Sequence, residues 1–345
     1  MGKARYFRSK EAILKKNLLI SFFSIILLLF GLELITRIYA YSIGKGFIEK
    51  PKSFISSFFT IYDWPAPYKK AKWYIFKKGE QIVKKKEKNE KRIICFGGST
   101  TLYGAPPPFI EKRGAFYTRG LSYPQCLKKK LQDKYPNLKI RVLNAGGDGF
   151  SSAHTLVNLA LRNVELKPDI ITVYHNINDL SCNYYGKEIL SDYSNKYLTF
   201  DFLTYRHRTG FWGSLMKYSF LMRFVNSRTG FFRFKDVDKN RDFHAGMEFF
   251  KNNLINIVAI AKANNIFPIL MTQGAKKSQR EDLGFKSYNQ IIEDIAKKEN
   301  VGLIKIADFL DDDSYFVDEV HLSSKGVEKV SSLLYDYLAS NKCIY

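Results

Sequence analysis

Three residue types that together can cleave an acyl bond are spread along this chain. Ser99 lies in Phe96-Gly97-Gly98-Ser99-Thr100-Thr101, directly after the apolar run Arg92–Phe96. A serine on a tight turn after a buried strand exposes its Oγ above the sheet edge, and the paired glycines permit that turn. Far downstream, Asp318 and His321 stand three residues apart in Asp-Glu-Val-His, a spacing that brings both side chains to one face. A carboxylate so placed holds an imidazole in the tautomer that accepts a hydroxyl proton. Two more polar segments, NAGGDGFSS (144–152) and HNIND (175–179), also follow apolar runs. Each segment alone also fits a plainer role: Ser99 as a helix cap, Asp-x-x-His as a surface cap, Gly149 as a turn glycine.

The elements around these segments alternate. Arg92–Phe96, Lys139–Leu143, Asp169–Tyr174, Ile266–Met271 and Gly302–Ile306 read as short apolar strands. Between them lie helical stretches: Ser122 to about Lys134, His154–Glu165, Gly246–Ala263, Tyr288–Lys298 and Ser323–Ala339. Ser122 and Ser323 are good N-caps. Such alternation predicts a three-layer α/β/α sandwich with a mostly parallel, flavodoxin-like sheet. Sheets of this kind bind ligands at the carboxyl ends of their strands, where the four polar segments fall.

A different kind of segment precedes this region. Leu18–Leu32 is apolar apart from Ser and Gly, and continuing to Tyr41 gives about 24 residues, enough for a hydrocarbon core. The expected organisation is a cytoplasmic basic tail (1–16), one transmembrane signal-anchor helix (17–41), a basic stalk (42–90) and an α/β domain (91–345). That domain holds an aromatic-rich insertion at about 183–242, including Tyr184, Tyr185, Phe200, Phe202, Tyr205, Phe211, Trp212, Phe231 and Phe232. It reads as a packed subdomain or as a lid over the site. Glu33 and Arg37, four apart, are expected to pair near the membrane interface. A cleaved signal peptide and a buried core helix are the competing readings of the apolar run.

Of the 345 residues, 55 are Lys or Arg and 33 Asp or Glu, a net charge of +22. Residues 1–92 hold 21 basic against 7 acidic residues and the remainder 34 against 26, so most of the excess precedes the domain. The lysine-rich stretch reads first as solvated surface; with an extracytoplasmic domain, periplasmic or at the cell surface, its functional reading is contact with anionic headgroups or acidic glycans, and nucleic acid is not expected as a partner. Cys95, Cys126, Cys182 and Cys343 form no Cys-x-x-Cys pair, and no cysteine or histidine has metal-ligand spacing. One disulfide stays open, with Cys95 expected buried and inert. No metal or cofactor is expected. His154, His207 and His244 read as structural, and His175 as lining the pocket.

Taken together, FGGSTT, NAGGDGFSS, HNIND and DEVH resemble the SGNH, or GDSL-type, serine hydrolases from Arg92 to the C-terminus. The resemblance implies Ser99 as nucleophile and Asp318 and His321 as its catalytic partners. It also implies an oxyanion hole from Ser99, Gly149 and the Asn178 amide. Two positions depart from the family pattern: Gly-Asp-Ser reads Gly-Gly-Ser, and Gly-x-Asn-Asp reads Asn176-Ile177-Asn178-Asp179. Asn176 is expected to reshape the pocket floor. The implied function is hydrolysis of a carboxylic ester, such as an O-acetyl ester on an envelope glycan, a lipid or a small molecule. An O-acyltransferase using the same site and a non-catalytic glycan-binding or assembly protein are the alternatives.

Overall fold

The computed structural model describes residues 2–42, 55–57, 60–63, 76–77, 80–81, 86–104, 120–147, 149–185, 188–193, 195–196, 219–229 and 242–344. Of the aromatics named in the insertion, only Tyr184 and Tyr185 fall among them, and His207 lies outside. The chain divides into two compact units, Met1–Ser53 with Phe200–Lys235, and Phe54–Thr199 with Asp236–Tyr345.

The first unit is built on one helix, Gly2–Ser42. Within it, Lys15–Tyr39 is 25 residues long and apolar enough to cross a membrane. At 1.5 Å per residue it reaches about 37 Å, more than a hydrocarbon core. Glu33 and Arg37 pair as expected, Nε to Oε1 at 2.8 Å. The Glu33 carboxylate has a second task. It accepts from Ser219 Oγ (2.7 Å) and from the backbone N–H groups of Phe220 (2.9 Å) and Leu221 (3.0 Å). These are donors at the start of the helix Phe220–Thr229, where N–H groups have no partner inside the helix. The Arg37 guanidinium sits over the Phe220 ring, and Tyr39 meets Phe224 edge-on. A carboxylate embedded in an apolar helix is thereby satisfied by another segment of the chain.

In the second unit, residues of the basic stretch 42–90 form two short antiparallel pairs. β1 (Ile55–Ser57) pairs with β2 (Thr60–Asp63), and β3 (Phe76–Lys77) with β4 (Glu80–Gln81). The main sheet follows: β5 (Glu90–Gly97), β6 (Lys139–Gly146), β7 (Ile170–Tyr174), β8 (Phe267–Met271) and β9 (Gly302–Ile304). All are parallel, in the order β6-β5-β7-β8-β9, which is the flavodoxin-like arrangement. Alternate residues face opposite layers. Ile94 and Phe96 pack with Leu254, Ile257 and Phe285, while Ile93 and Cys95 pack with Leu127, Leu131 and Leu334. Near-continuous apolar strands are what a sheet covered on both faces demands.

Some boundaries differ from the sequence reading for local reasons. The helix expected over His154–Glu165 begins at Ser152, capped by Ser151, and loosens after Asn158 into a π turn and a 3-10 turn. Pro168 prevents its continuation, and Lys167 before it turns left-handed at φ 49°. The helix expected from Tyr288 starts at Leu283, because Asp282 accepts the Phe285 N–H. β9 stops at Ile304 rather than Ile306. There the chain leaves the ladder and Thr272 Oγ1 takes the Ala307 N–H. The four cysteines are unpaired, and burial pushes the Cys95 thiol up to about 12.

Candidate active site

The switch point of the sheet lies between β5 and β7, where the strand order reverses direction. In register, Gly97 lies between Gly146 and Tyr174, so the three strands around the switch end level. Everything that follows them emerges on one edge.

After β5 the chain passes through extended Gly98 into a four-residue helix, Ser99–Leu102, with Ser99 first. Both glycines are required by close approach rather than by unusual dihedrals. A Cβ on Gly97 would collide with Thr101 Oγ1, and one on Gly98 would lie 2.5 Å from Asn178 Nδ2. Asn144, near the end of β6, braces this turn. Its amide donates to Thr101 O (2.8 Å) and Ser122 Oγ (3.2 Å), and its Oδ1 accepts from Gly146 N (2.9 Å). Sequence reading passed over Asn144 because a strand-end asparagine looks like a turn residue.

Gly149 adopts φ 71°, in the left-handed region that favours glycine, and a Cβ there would meet open space. Its neighbour Asp148 lies outside the described residues. After it, Ser151 caps the helix Ser152–Asn158 together with His154, whose ring stacks on Phe150 at 4.6 Å between centroids. His154 is structural, as expected. Burial holds its pKa down to about 3, with the charges of His175 and Lys196 adding to the effect.

Beyond β7, Asn178 lies on the short helix Ile177–Leu180. Its Nδ2 donates to Phe150 O at 3.0 Å, which ties the second polar segment to the third. Asn176, expected to shape the pocket floor, does not. It is 1% exposed and its amide donates to Phe285 O and Asn289 Oδ1, both at 2.9 Å. His175 is likewise buried rather than lining a pocket. Its Nε2 pairs with Thr155 Oγ1 at 2.7 Å, and burial lowers its pKa to about 3. Asp179 is fully buried and accepts from the backbone and hydroxyl of Ser152. Burial raises it to about 6, against those hydrogen bonds and the charge of Lys196.

The last segment is a loop pinned at its base by the Phe316–Leu322 bridge and the Val317 N–H to His321 O bond. Asp318 Oδ1 accepts the backbone N–H groups of Val320 (3.0 Å) and His321 (2.8 Å), which folds the loop back on itself. His321 Nδ1 then lies 2.8 Å from Asp318 Oδ2, and His321 Nε2 lies 2.8 Å from Ser99 Oγ. Ser323, two residues on, caps the closing helix Ser324–Ser340. Burial pushes the Asp318 carboxyl up. The hydrogen bond and charge of His321 and the two backbone donors outweigh it and hold the group below the usual carboxylate range. A hydroxyl, an imidazole and an ionised carboxylate joined in series can move a proton off the hydroxyl while it attacks an electrophile.

No curated protein matches the sequence. Among solved structures, the acetylxylan esterase Axe2 from Geobacillus stearothermophilus is similar, at 17% identity and a TM-score of 0.45, over 72% of this chain and 94% of that one. The α/β hydrolase LAE5 from the metagenome of Lake Arreo, Spain, is similar at 17% identity and a TM-score of 0.46, over 74% and 96%. The GDSL-like lipase/acylhydrolase family matches residues 95–329. That match begins at the strand leading into Ser99, runs past His321 and covers more than half of the chain, so the protein belongs to the GDSL-like lipase/acylhydrolase family of ester-hydrolysing enzymes.

Proposed function

We propose that this enzyme is a serine esterase with Ser99 as nucleophile, His321 as general base and Asp318 as the residue that orients the base. The observation that carries the reading is the unbroken series from Ser99 Oγ through His321 to Asp318, with both links at 2.8 Å. Ser99 Oγ attacks the ester carbonyl carbon while its proton passes to His321 Nε2. The N–H groups of Ser99 and Gly149 and the Asn178 amide hold the resulting oxyanion, and losing one such donor costs about 3–4 kcal/mol. Collapse breaks the bond to the alcohol oxygen, which takes the proton from the imidazolium, and an acyl group stays on Ser99. Water then attacks the acyl-enzyme through the same base, releasing the carboxylic acid. Asp318 stays ionised throughout and stabilises the imidazolium, in keeping with its depressed pKa.

The substrate class we favour is an O-acyl ester, possession of a short acyl group such as acetyl included, on an envelope glycan or lipid. Support comes from the helix Gly2–Ser42, whose apolar span suits a membrane anchor, and from the Lys and Arg residues that precede that span. In this reading the helix is retained and the catalytic domain faces outward. Turnover of p-nitrophenyl acetate and labelling by a fluorophosphonate test the chemistry. A wild-type chain that neither labels nor turns over would refute it. Carbonate extraction and protease accessibility in spheroplasts test the placement, and a domain shielded from protease would put it in the cytoplasm instead.

A further inference from the structure

A lysine is buried beside the proposed oxyanion donor. Lys196 is 3% exposed, an unusual state for a side chain that is almost never buried without partners. Its Nζ donates to Asn178 O at 2.9 Å and to Ser181 Oγ at 2.7 Å, and lies 3.5 Å from Asn178 Oδ1. Ser181 Oγ in turn donates to Asn178 O at 3.0 Å.

These contacts decide which way the Asn178 amide faces. Its oxygen points toward an ammonium, and its nitrogen donates to the Phe150 carbonyl. Reversed, the amide would set an NH2 group against the ammonium and an oxygen against a carbonyl, so both contacts would repel. With the observed orientation, one amide N–H is taken by Phe150 O and the second is left to donate. The amide nitrogen lies against Gly98, the residue before Ser99.

The segment that delivers Lys196 is built to do so. Asn195 Nδ2 donates to Cys182 O (2.8 Å) and Tyr185 O (2.9 Å), and Asn195 Oδ1 accepts from Leu190 N (3.1 Å). Tyr193, fully buried, takes φ 59°, a left-handed conformation unfavourable to an aromatic residue. Strain of this kind persists only where the surroundings over-determine it. Burial raises the Asp179 carboxyl, and the charge of Lys196 acts against it to lower that group.

We infer that Lys196 is a positioning residue for the esterase site: its ammonium fixes the Asn178 amide with an N–H aimed at the oxyanion. The inference rests on the serine-esterase reading above. It acts on negative charge that develops in the transition state, so it should appear in kcat and not in KM.

The experiment uses the full chain in detergent and compares wild type with Lys196→Met, Asn178→Ala and the double variant. The readouts are kcat and KM on p-nitrophenyl acetate, and the Ki of a phenylboronic acid, which forms an anionic tetrahedral adduct on a serine nucleophile. Lys196→Met is expected to lower kcat by about tenfold or more, leave KM within about twofold and raise the boronate Ki in parallel. In the Asn178→Ala background the same change should cost little more, because the lysine acts through the asparagine. If the Met variant does not fold, Lys196→Ala, which also removes both the charge and the donor, reads the same quantities. A folded variant with unchanged kcat and boronate Ki overturns the inference, and so does a full further loss in the Asn178→Ala background. Wild-type protein without turnover or fluorophosphonate labelling would instead remove the esterase reading on which it stands.

Discussion

The Asp179 carboxylate meets Ser152 twice, through the backbone N–H at 3.0 Å and through the hydroxyl at 2.5 Å. One residue follows β7 and the other opens the helix after Gly149, so this pair locks two site loops together. Asn253 Nδ2 adds a third tie by donating to Ser152 Oγ at 3.0 Å. Replacing Asp179 with Ala leaves two buried donors on Ser152 without their acceptor. The expected cost is about 2–4 kcal/mol, seen as a lower Tm of the full chain. Asp179→Asn keeps one acceptor oxygen and should lose less. Equal Tm values for wild type and Asp179→Ala would show that the lock carries no stability.

Acid should destabilise the second unit before its surface carboxylates titrate. His154 and His175 are buried and neutral, both depressed to about 3. A depressed folded pKa contributes stability that is present above the unfolded value near 6.5 and lost as pH falls below it. Asp179 works the other way. Raised to about 6, it contributes stability that is full below about pH 3.9 and lost as pH rises through about 6. From about pH 7.5 to about pH 5 the two histidines outweigh the one carboxyl, for a net loss of about 3 kcal/mol. Thermal unfolding at the two pH values measures it, and His175→Gln should flatten the slope. A Tm that rises on acidification would contradict the balance.

Ser99, His321 and Asp318 are expected to behave as one unit. Ser99→Ala and His321→Ala should each lower kcat by several orders of magnitude, and the double variant should be no worse than either. Asp318→Asn removes the charge that stabilises the imidazolium and lets the ring adopt the wrong tautomer, so kcat should fall by about 10³ or more with the fold intact. Circular dichroism checks the fold and steady-state kinetics the rest. Multiplying losses in the double variant would mean that the serine and the histidine do not share a step.

Glu33→Ala should free the start of the helix Phe220–Thr229. The amides of Phe220 and Leu221 lose their acceptor, and Arg37 loses its carboxylate. Hydrogen exchange on the full chain in nanodiscs should show both amides exchanging at least about tenfold faster. Unchanged protection there would mean that Ser219 alone caps the helix.

The sequence displays the sheet and the three residues of the Ser–His–Asp series because each sits where a strong local pattern breaks. An apolar run ending in Gly97-Gly98 marks Ser99, and the Asp-x-x-His spacing of Asp318 and His321 needs only a turn to close. Lys196 was hidden for the opposite reason. A lysine in a polar stretch reads as solvated surface, and only tertiary packing puts it beside Asn178. Asn176 misled through its type, since its amide is spent on the helix Leu283–Lys298 and not on the site. Asp282 was missed as a cap because Gly284, a poor helix former, stands in the first turn of that helix. The tie from Glu33 to Ser219 spans 186 positions, a distance at which no local pattern operates.

That tie also bears on maturation of the chain. A leader peptidase acting after Ala40 would carry away the acceptor of Ser219, Phe220 and Leu221, together with Arg37, which covers the Phe220 ring. The shortened product would then be left with a helix end unsealed and an aromatic face stripped of its cation. Under the retained-anchor reading proposed above, the N-terminal segment is a working part of the protein, and excising it to make a soluble form is expected to unseal the helix Phe220–Thr229.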